Sequence, residues 1–292
     1  MYHGNLAALY ASKFTNTDTT VIWNIRHSLH NIKNEKMTTA LTIRLNKFLS
    51  KKPSAILYNS QISREQHNDF GFNNPESLIH ANGFDTELFN FNEEYKNSSR
   101  YAYNIGSDKI VIGNVARFHP MKNHAGLIRA AVKICTERDD VMFILAGKDV
   151  NYKNTKLSSL IPKANHDRIL LIDEISTMSS LMNAFDIYVQ SSQWGEAFPN
   201  ALAEAMASKL FCIATDIGDS SMIIADTGMM FTDTSDESIY QGILNAINIA
   251  PDKRLKKGCA ARNRIKNHFS IEASIDMYAN TYENLVEKKL NQ

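Results

Sequence analysis

Residues 191–207 read SSQWGEAFPNALAEAMA, and this stretch decides the fold. Glu196 and Glu204 stand eight positions apart, with Phe198, Pro199 and Asn200 between them. An apolar pattern of helical period runs on from there. Proline suits the first turn of a helix, because its missing N–H would have no partner there. The spacing therefore predicts a loop over 191–196 at a strand end, then a helix starting at Phe198 or Pro199. Glu196 precedes that helix and Glu204 lies about two turns inside it. Between them fall the N–H groups of the helix start, from Phe198 to Ala201, which favour a phosphate. A carboxylate accepts two hydrogen bonds well and suits paired hydroxyls on a sugar or ribose. An anion site flanked by two carboxylates describes a nucleotide-sugar site.

Strand and helix signals alternate outward from this point, which implies parallel sheets in an α/β fold. Before it, short apolar runs predict strands over 20–26, 55–59 and 77–81. Helices are expected over 5–14, 37–51 and 60–70. Residues 92–107 are polar and without period, and read as a linker. Beyond them, strands are expected over 110–115, 141–146, 169–172, 186–190 and 211–214, with helices between. A long helix is expected over 270–290.

The segment around Glu196 and Glu204 resembles the E-x7-E signature of the retaining group 1, or family 4, glycosyltransferases. The resemblance extends to LMNAFDIYVQSS (181–192) and to FCIATDIGDSSMIIADTGMMF (211–231). A second element, IVIGNVARFHPMKNH (110–124), resembles the family's G-R-x4-K motif, with Arg117 and Lys122 as the cations that hold the donor diphosphate. Their use is physical: preorganised positive charge stabilises a leaving phosphate. IHANGFDTELF (79–89) resembles a further family element at the end of the first domain. The resemblance implies two Rossmann-like domains in the GT-B arrangement. They are expected at 1–91 and 108–269, with a C-terminal helix, 270–292, crossing back to the first.

The same resemblance implies roles. Arg117, Lys122, Glu196 and His27, which follows the strand VIWNIR, are the expected catalytic residues. Phe198, Pro199, Asn200, Ala201 and Glu204 are the expected donor-binding residues. No Asp-x-Asp motif occurs, so no metal or other cofactor is expected, and the cations with the helix start take that place. The expected donor is a nucleotide-diphosphate sugar and the expected acceptor a glycan or a lipid-linked acceptor, as in surface polysaccharide or lipopolysaccharide synthesis. The first domain reads as incomplete beside the family pattern, which opens with further βα units. A non-catalytic donor-binding fragment, or a half completed by a partner chain, is the alternative. A nucleotide-sugar epimerase or a phosphorylase on the same architecture is a third reading.

The chain departs from the family pattern in places. Lys209 stands where a glycine usually ends the Glu204 helix, and a lysine in a left-handed cap costs on the order of 1 kcal/mol. Lys148 and Asp149 follow Gly147, and Asp173 follows the strand 169–172, where glycines are common in the family.

Composition suits a globular α/β chain: 292 residues, 43% hydrophobic, 22% charged, net charge +1. Near-neutral charge argues against a nucleic-acid partner. Cys135, Cys212 and Cys259 lack metal-ligand spacing and are expected to be buried or half-buried thiols. No apolar run is long enough to span a bilayer and no charged-then-apolar leader is seen, so a cytoplasmic protein is expected. The helix expected at 37–51 carries Leu41, Leu45, Phe48 and Leu49 with Arg44, Lys47, Lys51 and Lys52. It reads as core-packed with a basic side, or as a peripheral contact with the inner membrane surface.

Overall fold

The computed structural model describes residues 1–15 and 19–291. The chain divides into two units: 1–83 with 195–198 and 271–292, and 84–194 with 199–270.

The first unit is built on a three-stranded parallel sheet in the order β1 (Ile22–Ile25), β2 (Ala55–Tyr58), β3 (Ser77–Ile79). All four residues of β2 are buried, as expected of the middle strand covered on both faces. One side is filled by Trp23, Ile25, Ile43 and Ile56, with Tyr2 from the helix Tyr2–Ala11. The other is filled by Ala55, Leu57 and Leu285, the last from the helix Ile271–Leu290. That helix is also bonded to the sheet: Asn24 Nδ2 donates to Tyr278 Oη at 3.0 Å, and Thr281 Oγ1 lies 3.1 Å from His80 Nε2.

The second unit has six parallel strands: β4 (Ile110–Val115), β5 (Val141–Ala146), β6 (Ile169–Ile172), β7 (Ile187–Gln190), β8 (Phe211–Ala214) and β9 (Met229–Met230). Their order in space is β6-β5-β4-β7-β8-β9. The chain moves outward from β4 through β5 to β6, then returns to the far side of β4 and runs outward again. This is the doubly wound order of a dinucleotide-binding sheet, with its switch point between β4 and β7. Ile112, Phe143, Ile187 and Ile213 centre a core closed by the helices His124–Glu137 and Asp236–Asn248.

Three expectations need correction. Residues 92–107 are not a linker: Glu93–Ala102 is a helix of the second unit, capped by Asn92. It is fastened by Arg100, which donates to Asp186 at 2.6 Å, and by Ser99, whose hydroxyl donates to Ser180 O at 3.1 Å. None of its residues is buried, so it leaves no apolar period to read. The boundary between the units accordingly falls at 83/84 rather than 91/92. Cys259 is exposed on the helix Pro251–His268, whereas Cys135 and Cys212 are buried as expected.

Candidate functional site

In a doubly wound sheet, ligands bind beyond the carboxyl ends of the strands at the switch point. Here the loops leaving β4 and β7 meet at that place. The loop after β4 carries Arg117, Phe118 and His119, a short 3-10 turn Pro120–Lys122, and Asn123, which opens the helix His124–Glu137. Asn123 is left-handed (φ 52°), and its side chain accepts from Gly126 N. The loop after β7 carries Ser191 to Trp194 and leads to the helix Asn200–Ala207.

Backbone groups fasten the two loops together. Gln193 N–H donates to Met121 O at 2.8 Å, and Ser191 Oγ donates to Lys122 O at 2.9 Å. Thr215, just past β8, ties in the other side by donating to Ser192 O at 2.6 Å. The start of the β4 loop is held from β5. Ala116 N–H donates to Ala146 O, and a Cβ at Gly147 (φ 143°) would lie 2.3 Å from Ala116 O. Only glycine fits that approach. Buried His124 donates from Nε2 to Ala116 O at 3.2 Å. Its burial, with Lys122 adding to the effect, lowers its pKa to about 4, so the ring is neutral.

The cations of the β4 loop act on a common point. His119 is held below the ordinary histidine range first by burial, then by the charges of Arg117 and Lys122. Its Nδ1 accepts from Met121 N, and its ring meets Trp194 edge-on with centroids 5.8 Å apart. Arg117 is exposed, and no carboxylate pairs with it among the described residues. Positive charge thus gathers at the switch point.

Pro199 is the cap of the helix Asn200–Ala207 and brings no side-chain oxygen to its first N–H groups. The helix begins at Asn200, one residue later than proline at a first helical position would give, because Pro199 adopts an extended conformation. Glu204 is therefore its fifth residue, about a turn and a half in rather than two. Glu204 is half-buried, and its carboxylate has no hydrogen-bonding or ionic partner among the described residues. Burial raises its pKa. An unpartnered, desolvated carboxylate is costly and calls for a donor from elsewhere. Asn200 is exposed, Ala201 half-buried and Phe198 buried.

Arg117, Lys122, Pro199, Asn200, Ala201 and Glu204 all belong to the second unit, while His27, Glu196 and Phe198 are grouped with the first. Glu196 is 7% exposed. His27 Nε2 lies 2.8 Å from Glu35 Oε1, so its ring is oriented by that carboxylate. His119, Trp194 and Thr215 join the site without having been singled out in the sequence. His119 had a signal, since it stands between the two cations of the motif. Trp194 and Thr215 had none, because their places come from tertiary contacts.

The family model for glycosyl transferases group 1 matches residues 96–264, more than half of the chain. The chain belongs to this family. EpsF of Bacillus subtilis (strain 168), itself only provisionally designated a glycosyltransferase, is 34% identical over 155 residues, 50% of this chain and 38% of EpsF. The lipopolysaccharide core biosynthesis mannosyltransferase LpsB of Rhizobium meliloti (strain 1021) is 25% identical over 223 residues, 73% of this chain and 62% of LpsB. The match therefore spans less than two thirds of either relative's own length. Among solved structures, Anabaena Alr3699/HepE in complex with UDP superposes with a TM-score of 0.85 at 19% identity, covering 97% of this chain and 77% of that one. A sucrose-phosphate synthase from Thermosynechococcus elongatus gives 0.83 at 17% identity, covering 98% and 72%. These likenesses show that this group 1 glycosyl transferase has the α/β fold of its GT-B relatives. No helix among the described residues is long and apolar enough to cross a membrane.

Proposed function

We propose that the chain binds a nucleotide-diphosphate sugar at the β4/β7 switch point of its second unit and transfers the sugar to a glycan or lipid-linked acceptor with retention of configuration. One observation carries this reading: Arg117, with no carboxylate partner among the described residues, stands at the same switch point as an uncapped helix start and Glu204, whose carboxylate has no partner among those residues. Arg117, Lys122 and the first N–H groups at Asn200 and Ala201 hold the diphosphate and stabilise its charge as it leaves, in place of a metal. Phe198 and Pro199 shape the entry to that helix. Glu204 accepts from the paired hydroxyls of the ribose. The departing phosphate takes the proton of the incoming hydroxyl on the same face of the sugar. Glu196 and His27 are the further residues proposed for catalysis, and the reaction needs no covalent bond from a glutamate to the sugar.

Related proteins support the choice of donor. HepE was crystallised with UDP-glucose, and an Escherichia coli relative, 24% identical over 186 residues, is named for transfer from UDP-Gal to a diphosphoundecaprenol-linked acceptor. An acceptor of that kind fits the proposed role in cell-surface polysaccharide or lipopolysaccharide synthesis, in the cytoplasm and in peripheral contact with the inner membrane.

A second reading is a donor-binding chain that turns over only with a partner supplying further βα units. It is favoured by β1, which stands at the edge of a three-stranded sheet. Measured turnover tests both readings. In the first, Arg117→Ala lowers turnover about a hundredfold, as loss of one preorganised donor does, with less effect on acceptor KM. Unchanged turnover in that variant rejects the role of Arg117. Donor binding without any turnover in the unaltered chain selects the second reading.

A further inference from the structure

The loop after β4 sets a third polar side chain beside Arg117 and Lys122. His119 precedes Pro120, and a residue before proline is driven to extended backbone. Its φ of −159° and ψ of 144° agree, and from that conformation its side chain caps the turn Pro120–Lys122. Nδ1 accepts from Met121 N at 3.3 Å. A ring nitrogen that accepts carries no proton, so the ring is neutral and its one proton is on Nε2. Trp194, from the loop after β7, meets the ring edge-on and holds it from the other side. All of these residues lie in the second unit.

Capping accounts for only half of this side chain. Aspartate, asparagine or serine would offer Met121 the same kind of acceptor. Imidazole adds the N–H at Nε2, and no group among the described residues accepts from it. The ring is half-buried, so a donor left there without a partner is unfavourable. The charge around it says which acceptor is missing. Arg117 and Lys122 both stand close enough to add to burial in holding the ring below the ordinary histidine range. Their field keeps a third positive charge away and attracts an anion. An uncharged N–H beside two cations suits an oxygen of that anion, since a hydrogen bond to a charged acceptor is about twice as strong as a neutral one.

We propose that His119 donates from Nε2 to the diphosphate of the donor, as an uncharged partner of Arg117 and Lys122. The inference rests on the donor-site reading above and adds a binding residue to that site. The bond strengthens as the sugar leaves, because the diphosphate oxygens then gain charge. Trp194 is a positioning residue, acting through the imidazole that it holds.

The test separates the two ring nitrogens. In His119→Asn the side-chain oxygen takes the place of Nδ1 and the outer donor is gone. In His119→Gln the amide reaches towards the place of Nε2 and the cap is lost. Titration calorimetry of the full chain with UDP, GDP, ADP, their sugar conjugates and inorganic pyrophosphate reads the donor, and thermal melting reads the cap. His119→Asn should melt with the parent and bind pyrophosphate and the preferred nucleoside diphosphate about ten- to a hundredfold more weakly. Its loss should be larger for the nucleoside diphosphate than for the sugar conjugate, because the free diphosphate carries the charge of the departed leaving group. His119→Gln should melt lower and keep most of the affinity. Trp194→Ala should weaken binding in the parent and add nothing in the His119→Asn background; losses that simply add refute its positioning role. Affinity kept in His119→Asn but lowered by Arg117→Ala overturns the inference, makes His119 a cap alone, and leaves the donor site standing. A parent that binds none of these ligands rejects the donor-site reading and this inference with it.

Discussion

Replacing Glu204 by glutamine should strengthen the free protein and weaken the donor complex. Burial holds the Glu204 carboxyl above its ordinary pKa, and nothing among the described residues compensates the charge. The folded state therefore binds this proton more tightly than the unfolded chain does. The carboxylate costs nothing below the ordinary glutamate range and costs stability as pH rises through the raised value. Glu204→Gln keeps the shape and removes that cost. Its melting temperature at neutral pH should equal or exceed the parent's, and the difference should close towards pH 4. Binding moves the other way. A hydrogen bond to a charged acceptor is worth roughly 1.5–3 kcal/mol, so the variant loses about one to two orders of magnitude in donor affinity. A donor at about a hundred times its dissociation constant stabilises the parent by about 2.7 kcal/mol; the same concentration stabilises the variant by roughly 0.4–1.4 kcal/mol. At about 2–4 °C per kcal/mol, a shift of about 5–10 °C shrinks to roughly 1–5 °C. The assay is thermal melting with UDP, GDP, ADP and their sugar conjugates, parent and variant side by side. A variant that melts lower without ligand yet keeps the whole nucleotide shift would refute the reasoning, because Glu204 would then be an ordinary structural carboxylate.

Two further expectations concern stability. His67 in the first unit and His124 in the second are buried and neutral, each with a pKa lowered to about 4. The neutral form belongs to the folded state, so their contribution is complete above the ordinary histidine value and is lost as pH falls from about 6.5 towards 4, at about 3 kcal/mol each. Denaturant unfolding at pH 7 and pH 4.5 checks this, and equal stability at the two would contradict it. Lys209 is left-handed (φ 62°) at the end of the helix Asn200–Ala207, so Lys209→Gly should stabilise by about 1 kcal/mol. Gly258→Ala should destabilise by about 1–3 kcal/mol, since its Cβ would lie 2.0 Å from Lys209 O. Denaturant midpoints of the two variants moving together, rather than apart, would count against this account of the helix end.

Much of the second unit was legible because its strands are buried on both faces. Runs such as Val141–Ala146 are continuously apolar, and their limits are the limits of burial. The helix Glu93–Ala102 was not legible for the opposite reason. It joins the unit through polar bonds, Arg100 to Asp186 and Ser99 to Ser180 O, and such bonds leave no periodic trace. Lys209 shows the intermediate case. A lysine where glycine usually stands announces strain, and the structure answers with a Schellman ending: Lys209 N–H donates to Met206 O and Leu210 N–H to Ala205 O. Two backbone bonds and the packing of Gly258 hold a conformation that the side chain alone would avoid.

The candidate site divides along the same line. Arg117, Lys122 and Glu204 are singled out in the sequence by motifs that resemble those of the family, and the structure sets each near a strand end or inside a helix. Thr215 and Trp194 are not, because only the strand order β4-β7-β8 brings their loops together. What joins those loops is largely backbone: Gln193 N–H to Met121 O, and the Ser191 and Thr215 hydroxyls to carbonyls. Backbone partners constrain side-chain identity weakly, so a family can vary these loops while keeping the switch point intact. Charge cannot vary so freely. Among the described residues Arg117 has no carboxylate to hold it in place, and Glu204 has no cation. Groups left this way lower the stability of the free protein and are useful only when a ligand completes them. That asymmetry, Arg117 and Glu204 without partners among the described residues on loops joined by backbone bonds, is what recommends this switch point as the candidate binding site.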